Sequence, residues 1–89
     1  MIYYLGALLS KEIGISEAAS RGLIKLAIKE DIGPYKELNT MDLRDYHKVI
    51  QNSLKKRLEN LNIENFKQII SLLLTEIVEN QSLITMEKI

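Results

Sequence analysis

The only histidine, His47, is the residue with most capacity for chemistry. Arg44 stands one turn before it and Lys48 follows it, so an exposed imidazole there could accept a phosphoryl group with cations at hand. Two carboxylate pairs at i, i+3, Asp42 with Asp45 and Glu76 with Glu79, could chelate a hard cation. Such pairs are far more often solvated helix faces, and a lone histidine without cysteine leaves a transition metal too few ligands. The sequence has no Ser/His/Asp spacing and no glycine-rich phosphate loop, its four glycines being scattered as helix punctuation. The chain therefore reads as non-catalytic, with no metal and no cofactor.

Charge and composition narrow the classes further. Twelve basic and twelve acidic residues cancel, so no global field draws in nucleic acid or an anionic membrane. The cluster Lys55-Lys56-Arg57 is short, balanced by Glu59, and reads as a solvated face. No apolar run reaches the ~18–20 residues of a membrane span. The apolar opening MIYYLGALL lacks a basic start and a small-residue cleavage site, so it does not read as a signal peptide. The absence of cysteine rules out a disulfide framework and suits a cytoplasmic protein.

The elements that must carry these residues are helical. The segment Phe66 to Val78, FKQIISLLLTEIV, holds eight large apolar side chains in thirteen positions. Placed on a helix, Phe66, Ile69, Ile70, Leu73, Leu74 and Ile77 share an arc of roughly 140°, and Leu72 and Val78 widen it to roughly 240°. Ahead of it, Leu43, His47, Ile50, Leu54, Leu58 and Leu61 form a near-heptad stripe with Tyr46 alongside, which puts His47 in a helix seam. The short join at 60–63 makes these two helices antiparallel neighbours. Residues 34–62 carry six basic and four acidic side chains, 63–89 two basic and four acidic, so the charges favour that pairing.

Towards the amino end, one helix is expected over Ile2 to Ile13, closed by Gly14. A second runs from Glu17 to about Glu30, capped by Ser16 and stopped at Gly33-Pro34. Its main face is expected to be Ala19, Leu23, Leu26 and Ala27, with Ile24 and Ile28 on another side and Arg21, Lys25 and Lys29 as a basic edge. Ala18, Ala19 and Gly22 leave room for a close helix. Asn39 or Thr40 is placed to cap the third helix.

The run Leu9 to Leu23, LSKEIGISEAASRGL, resembles a helix-turn-helix of the bacterial and archaeal regulator type. The likeness lies in Leu9, Ser10, Ile13, Gly14, Ile15, Ser16, the Ser20-Arg21 pair and Leu23. Ser20 stands where that motif has a β-branched apolar wedge. The resemblance implies that Glu17, Ala18, Ser20 and Arg21 face bases while Lys25 and Lys29 touch phosphate. Without it, the same run is a helical corner with a solvated basic edge.

The expected fold is all-α: a small four-helix array, with a short helix pair over 1–33, a linker over 34–40, a longer antiparallel hairpin over 41–80 and an apolar tail over 81–89. A chain this short buries only about 60–65% of its unfolded surface. Its excess apolar helix surface therefore predicts a homodimer through Leu54, Phe66, Ile70, Leu72, Leu73, Ile77 and Val78. The expected function is a regulatory protein–protein interaction module; the alternative is a DNA-binding regulator dimerised through the hairpin.

Overall fold

Every regular element among the described residues is helical, as the periodicity predicts. A computed structural model describes residues 1–34 and 37–87, Glu87 by its backbone alone. Tyr35 and Lys36 of the linker, and Lys88 and Ile89 of the tail, lie outside the described residues. Helix α1 covers Ile2–Ile13 and α2 covers Glu17–Asp31, followed by a 3₁₀ turn at Leu38–Thr40. Helix α3 spans 43–60 as α-helical Leu43–Val49, π-helical Ile50–Leu54 and α-helical Lys55–Asn60. Helices α4, Phe66–Glu79, and α5, Gln81–Glu87, complete the array.

The helix ends follow local chemistry. Gly14 closes α1 at φ 71°, a left-handed conformation that costs glycine nothing. The Ser16 hydroxyl accepts the Ala19 amide at 3.1 Å, and Ser10 Oγ donates to the Ile15 carbonyl at 2.5 Å, pinning the corner from both sides. The third helix is capped by Asp42 rather than Asn39 or Thr40. Asp42 and Asp45 each accept the other's backbone N–H, at 2.9 and 3.1 Å, in a reciprocal capping box. At the α3–α4 corner Asn62 takes the left-handed role at φ 60°, and the Ile63 amide reaches back to the Leu58 carbonyl.

The buried face of α3 departs from the predicted stripe. Tyr46, Val49, Ile50, Ser53, Leu54 and Leu58 are buried, whereas His47 is exposed and Leu61 is 53% exposed. The π-helical turn is the cause. At about 100° per residue, Tyr46, Ile50, Leu54 and Leu58, four apart, would march about 120° round a regular helix. A π turn takes in one extra residue and brings Leu54 and Leu58 back beneath Tyr46. A stripe read at constant pitch lands on His47, one position past Tyr46, whereas the buried residues ahead of the turn are Tyr46 and Val49.

Helix α2 supplies the partner for that turn. In a regular helix the Ser53 N–H would bond to the Val49 carbonyl. Here Asp31 Oδ2, from the last residue of α2, accepts it at 3.0 Å. Lys48 Nζ approaches the Asp31 carbonyl at 3.5 Å, and Arg57 pairs with Glu30 at 2.6 Å, so α2 and α3 are tied along one edge. The buried face of α2 is Ser20, Ile24, Ala27 and Ile28, with Ala19 and Leu26 exposed. Packing between α1 and α3 selects that face. The close approach to α1 comes through Gly6, where a Cβ would meet Arg21 Cγ at 2.6 Å; Gly22 faces open space.

Helix α4 rests on α1 and on all three parts of α3, which absorbs its wide apolar arc. Ile69, Ile70, Leu73 and Ile77 are buried; Phe66, Leu72 and Leu74 are half-buried. The tail docks as α5, burying Ile84 and packing against the Leu38–Thr40 turn. The accessible surface is 5445 Å², close to the roughly 5,300 Å² of a folded monomer of this size. One copy thus covers most of the apolar surface that the sequence had assigned to a partner.

Asp31→Ala should lower the unfolding free energy by about 1.5–3 kcal/mol, the worth of a hydrogen bond to a charged acceptor. Urea denaturation reads it, and an unchanged midpoint would show the π turn to be independent of α2.

Candidate functional site

The exposed side of α3 and the outer edge of α4 meet in a groove of about 420 Å³ lined by His47, Ser71, Leu74, Thr75, Val78 and Glu79. Its apolar floor comes from Leu74, half-buried, and Val78, 50% exposed. Ser71 and Thr75 line α4 one turn apart, and the Thr75 hydroxyl donates to the Ser71 carbonyl at 3.1 Å. A second cleft of about 560 Å³, lined by Asp42, Leu43, Arg44 and His47, opens on the other side of the imidazole. His47 therefore sits on a ridge between two open concavities, not in a seam.

The rims of the groove differ in charge. The α3 side carries His47, with Arg44 in the cleft across that ridge; the α4 side carries Glu79. Among the described residues His47 has no hydrogen-bond partner to fix its tautomer, which an activated imidazole ordinarily has. Lys48 leans towards the Asp31 carbonyl, leaving Arg44 as the cation beside the ring. Among the described residues no three histidine, aspartate or glutamate side chains gather as a metal site. The two carboxylate pairs read from the sequence have structural partners: Asp42 and Asp45 cap α3, and Glu76 accepts bonds from Tyr4 and Asn80.

The interface residues expected from sequence divide sharply. Leu54, Ile70, Leu73 and Ile77 lie in the core of the single chain and cannot face a partner. Their burial follows from packing among α1, α3 and α4, which the helical arc of α4 alone did not reveal. Phe66 and Leu72 are half-buried, and only Val78 of the seven is exposed. Leu74 and His47 join it in the groove. Leu74 stood at the edge of the predicted stripe, so its position was legible; His47 was hidden by the π turn.

The residues that a DNA-reading α2 would use are also separated. Ser20 is fully buried, and its hydroxyl finds no hydrogen-bond partner among the described residues. Arg21 is half-buried, its guanidinium 4.6 Å from the centre of the Tyr3 ring, and its stem lies against Gly6. Glu17, Lys25 and Lys29 remain exposed. Of the six positions that the resemblance assigned to DNA, the tertiary packing thus withdraws Ser20 and occupies Arg21.

A polar triangle links α1 to the end of α4. Tyr4 donates to Glu76 Oε2 at 2.5 Å, and Asn80 Nδ2 reaches the same oxygen at 3.0 Å and the Tyr4 oxygen at 3.3 Å. The Glu76 hydrogen bond, followed by desolvation and the carboxylate's charge, raises the Tyr4 pKa above its ordinary value.

No protein-family model, curated protein or solved structure matches the chain. No helix among the described residues is long and apolar enough to cross a membrane.

Two outcomes follow from these side chains. Ser20→Ala should raise stability by about 1 kcal/mol, because it removes a buried hydroxyl without a partner; a loss would reveal an unseen role for the oxygen. Because the folded Tyr4 pKa lies above the unfolded value of about 10, its contribution is complete below about pH 10 and is lost as pH rises through the folded value. The stability advantage of the wild type over Tyr4→Phe should therefore be constant to about pH 10 and shrink beyond it. Parallel alkaline profiles would contradict this.

Proposed function

We propose that the protein is a non-catalytic helical interaction module that pairs with a second copy of itself through the α3–α4 groove. The observation that carries this reading is the groove's self-complementarity. Its floor is apolar, through Leu74 and Val78, its α4 rim carries the acid Glu79, and its α3 rim is His47, with the cation Arg44 just across that ridge in the neighbouring cleft. In a two-fold pairing the α3 rim of each copy meets the α4 rim of the other, so both charge contacts form together. Open clefts and an unoriented imidazole favour docking over catalysis. A cytoplasmic regulatory role accords with the chain's lack of cysteine.

The second reading, DNA recognition through α2, is supported by the exposed pair Lys25 and Lys29. Loss of affinity in Lys25→Ala with Lys29→Ala, and a steep fall with salt, would favour it.

Sedimentation equilibrium at micromolar concentration should show a reversible dimer. Val78→Asp should make it a monomer with a melting temperature within about 2 °C of wild type, since the side chain is half exposed. Arg44→Glu should weaken the dimer and the added Glu79→Arg should restore it. A wild type that stays monomeric to several hundred micromolar would overturn the proposal.

A further inference from the structure

The bend between α4 and α5 has no ordinary helix breaker. Residues 66–87 contain neither glycine nor proline, yet the helix stops at Asn80, with φ −118° and ψ 36°, and restarts at Gln81. A sharp interruption without such a residue needs side-chain interference with the helical ladder. Asn80 supplies it. Its Nδ2 donates to the Glu76 carbonyl at 2.9 Å and to Glu76 Oε2 at 3.0 Å, and meets the Tyr4 oxygen at 3.3 Å. The bend thus coincides with a triangle whose third corner, Tyr4, lies on α1.

Beyond the bend, α5 is a seven-residue helix, too short to persist without its seat. Ile84 is buried and Leu83 half-buried where α5 packs on the Leu38–Thr40 turn, with Leu38 half-buried at the same core. If 66–87 straightens, the arm leaves this seat and uncovers Ile84 together with the apolar surface beneath it. A helix that restores every lost contact is then available on any second copy. Exchange reproduces the closed packing between chains, so hinge preference and protein concentration decide which form prevails.

We propose that α5 is an exchangeable arm, latched closed by the Tyr4–Glu76–Asn80 triangle, and that its seat accepts α5 of a second copy when the latch opens. The α5 seat and the α3–α4 groove are separate surfaces, so exchange does not require the groove. The latch couples α1 to the assembly state, because Tyr4 of α1 hydrogen-bonds both Glu76 and Asn80 at the bend.

Asn80→Ala tests this directly, as it removes the interfering amide and inserts the best helix former. Sedimentation equilibrium should give an apparent dimer constant at least tenfold tighter than wild type, with increased helical ellipticity at 222 nm. Tyr4→Phe should move the equilibrium the same way by a smaller factor. The Asn80→Ala dimer should survive Val78→Asp and be lost on Ile84→Asp, with α1–α4 amides still protected from hydrogen exchange. If Asn80→Ala and Tyr4→Phe both sediment like wild type with unchanged α5 amide protection, the latch is refuted. A dimer sensitive to Val78→Asp but indifferent to Ile84→Asp would refute arm exchange while supporting the groove.

Discussion

The hydrogen bond from the Ser53 amide to the Asp31 carboxylate is the interaction on which the arrangement of the other helices turns. A π turn inside a helix weakens the backbone ladder and needs an outside partner to persist. Asp31 supplies one from the end of a neighbouring helix, where a carboxylate gains nothing from the helix dipole. The result is a phase correction in α3. Tyr46 and Val49 before the turn, and Leu54 and Leu58 after it, become one buried face on which α2 and α4 can pack. The same correction turns His47 outward and so creates the ridge between the two clefts.

The second constraint lies at the opposite end of α4. This helix is apolar round so much of its circumference that it needs neighbours on several sides, and α1 and α3 provide them within one chain. The Tyr4–Glu76–Asn80 triangle lies where α4 ends and the chain turns into α5. Two polar devices, one in the middle of α3 and one at the end of α4, thus direct an otherwise aliphatic assembly. In an interior of leucine and isoleucine, where many packings have similar energies, such directional bonds select one of them.

This division bears on function. The core residues of α4 hold the monomer together, while the proposed association would fall to Leu74 and Val78 on the groove floor and Glu79 on its rim. In that proposal folding and pairing rest on different side chains, so pairing can be tuned without threatening the fold. Of the four positions that the helix-turn-helix resemblance assigned to bases, Ser20 is buried and Arg21 packs on Tyr3 of α1. What α2 leaves to solvent is a mixed surface in which Lys25 and Lys29 stand beside Glu17, Leu26 and Glu30.

The all-α class, the bounds of α1, α2 and α4, the Gly14 and Ser16 corner and the α3–α4 hairpin were legible in the sequence. Each depends on local chemistry: helical periodicity, a glycine free to adopt positive φ, a hydroxyl placed to cap. The buried face of α2, the exposure of His47 and the burial of the predicted interface leucines were decided by tertiary structure. These depend on partners distant in the chain. Asp31 lies 22 residues from Ser53, and Tyr4 lies 72 from Glu76. A periodicity read along one helix assumes constant pitch and an unspecified neighbour, and this fold departs from both assumptions. Local propensity made the helices; two long-range hydrogen-bonded contacts determined which faces they show.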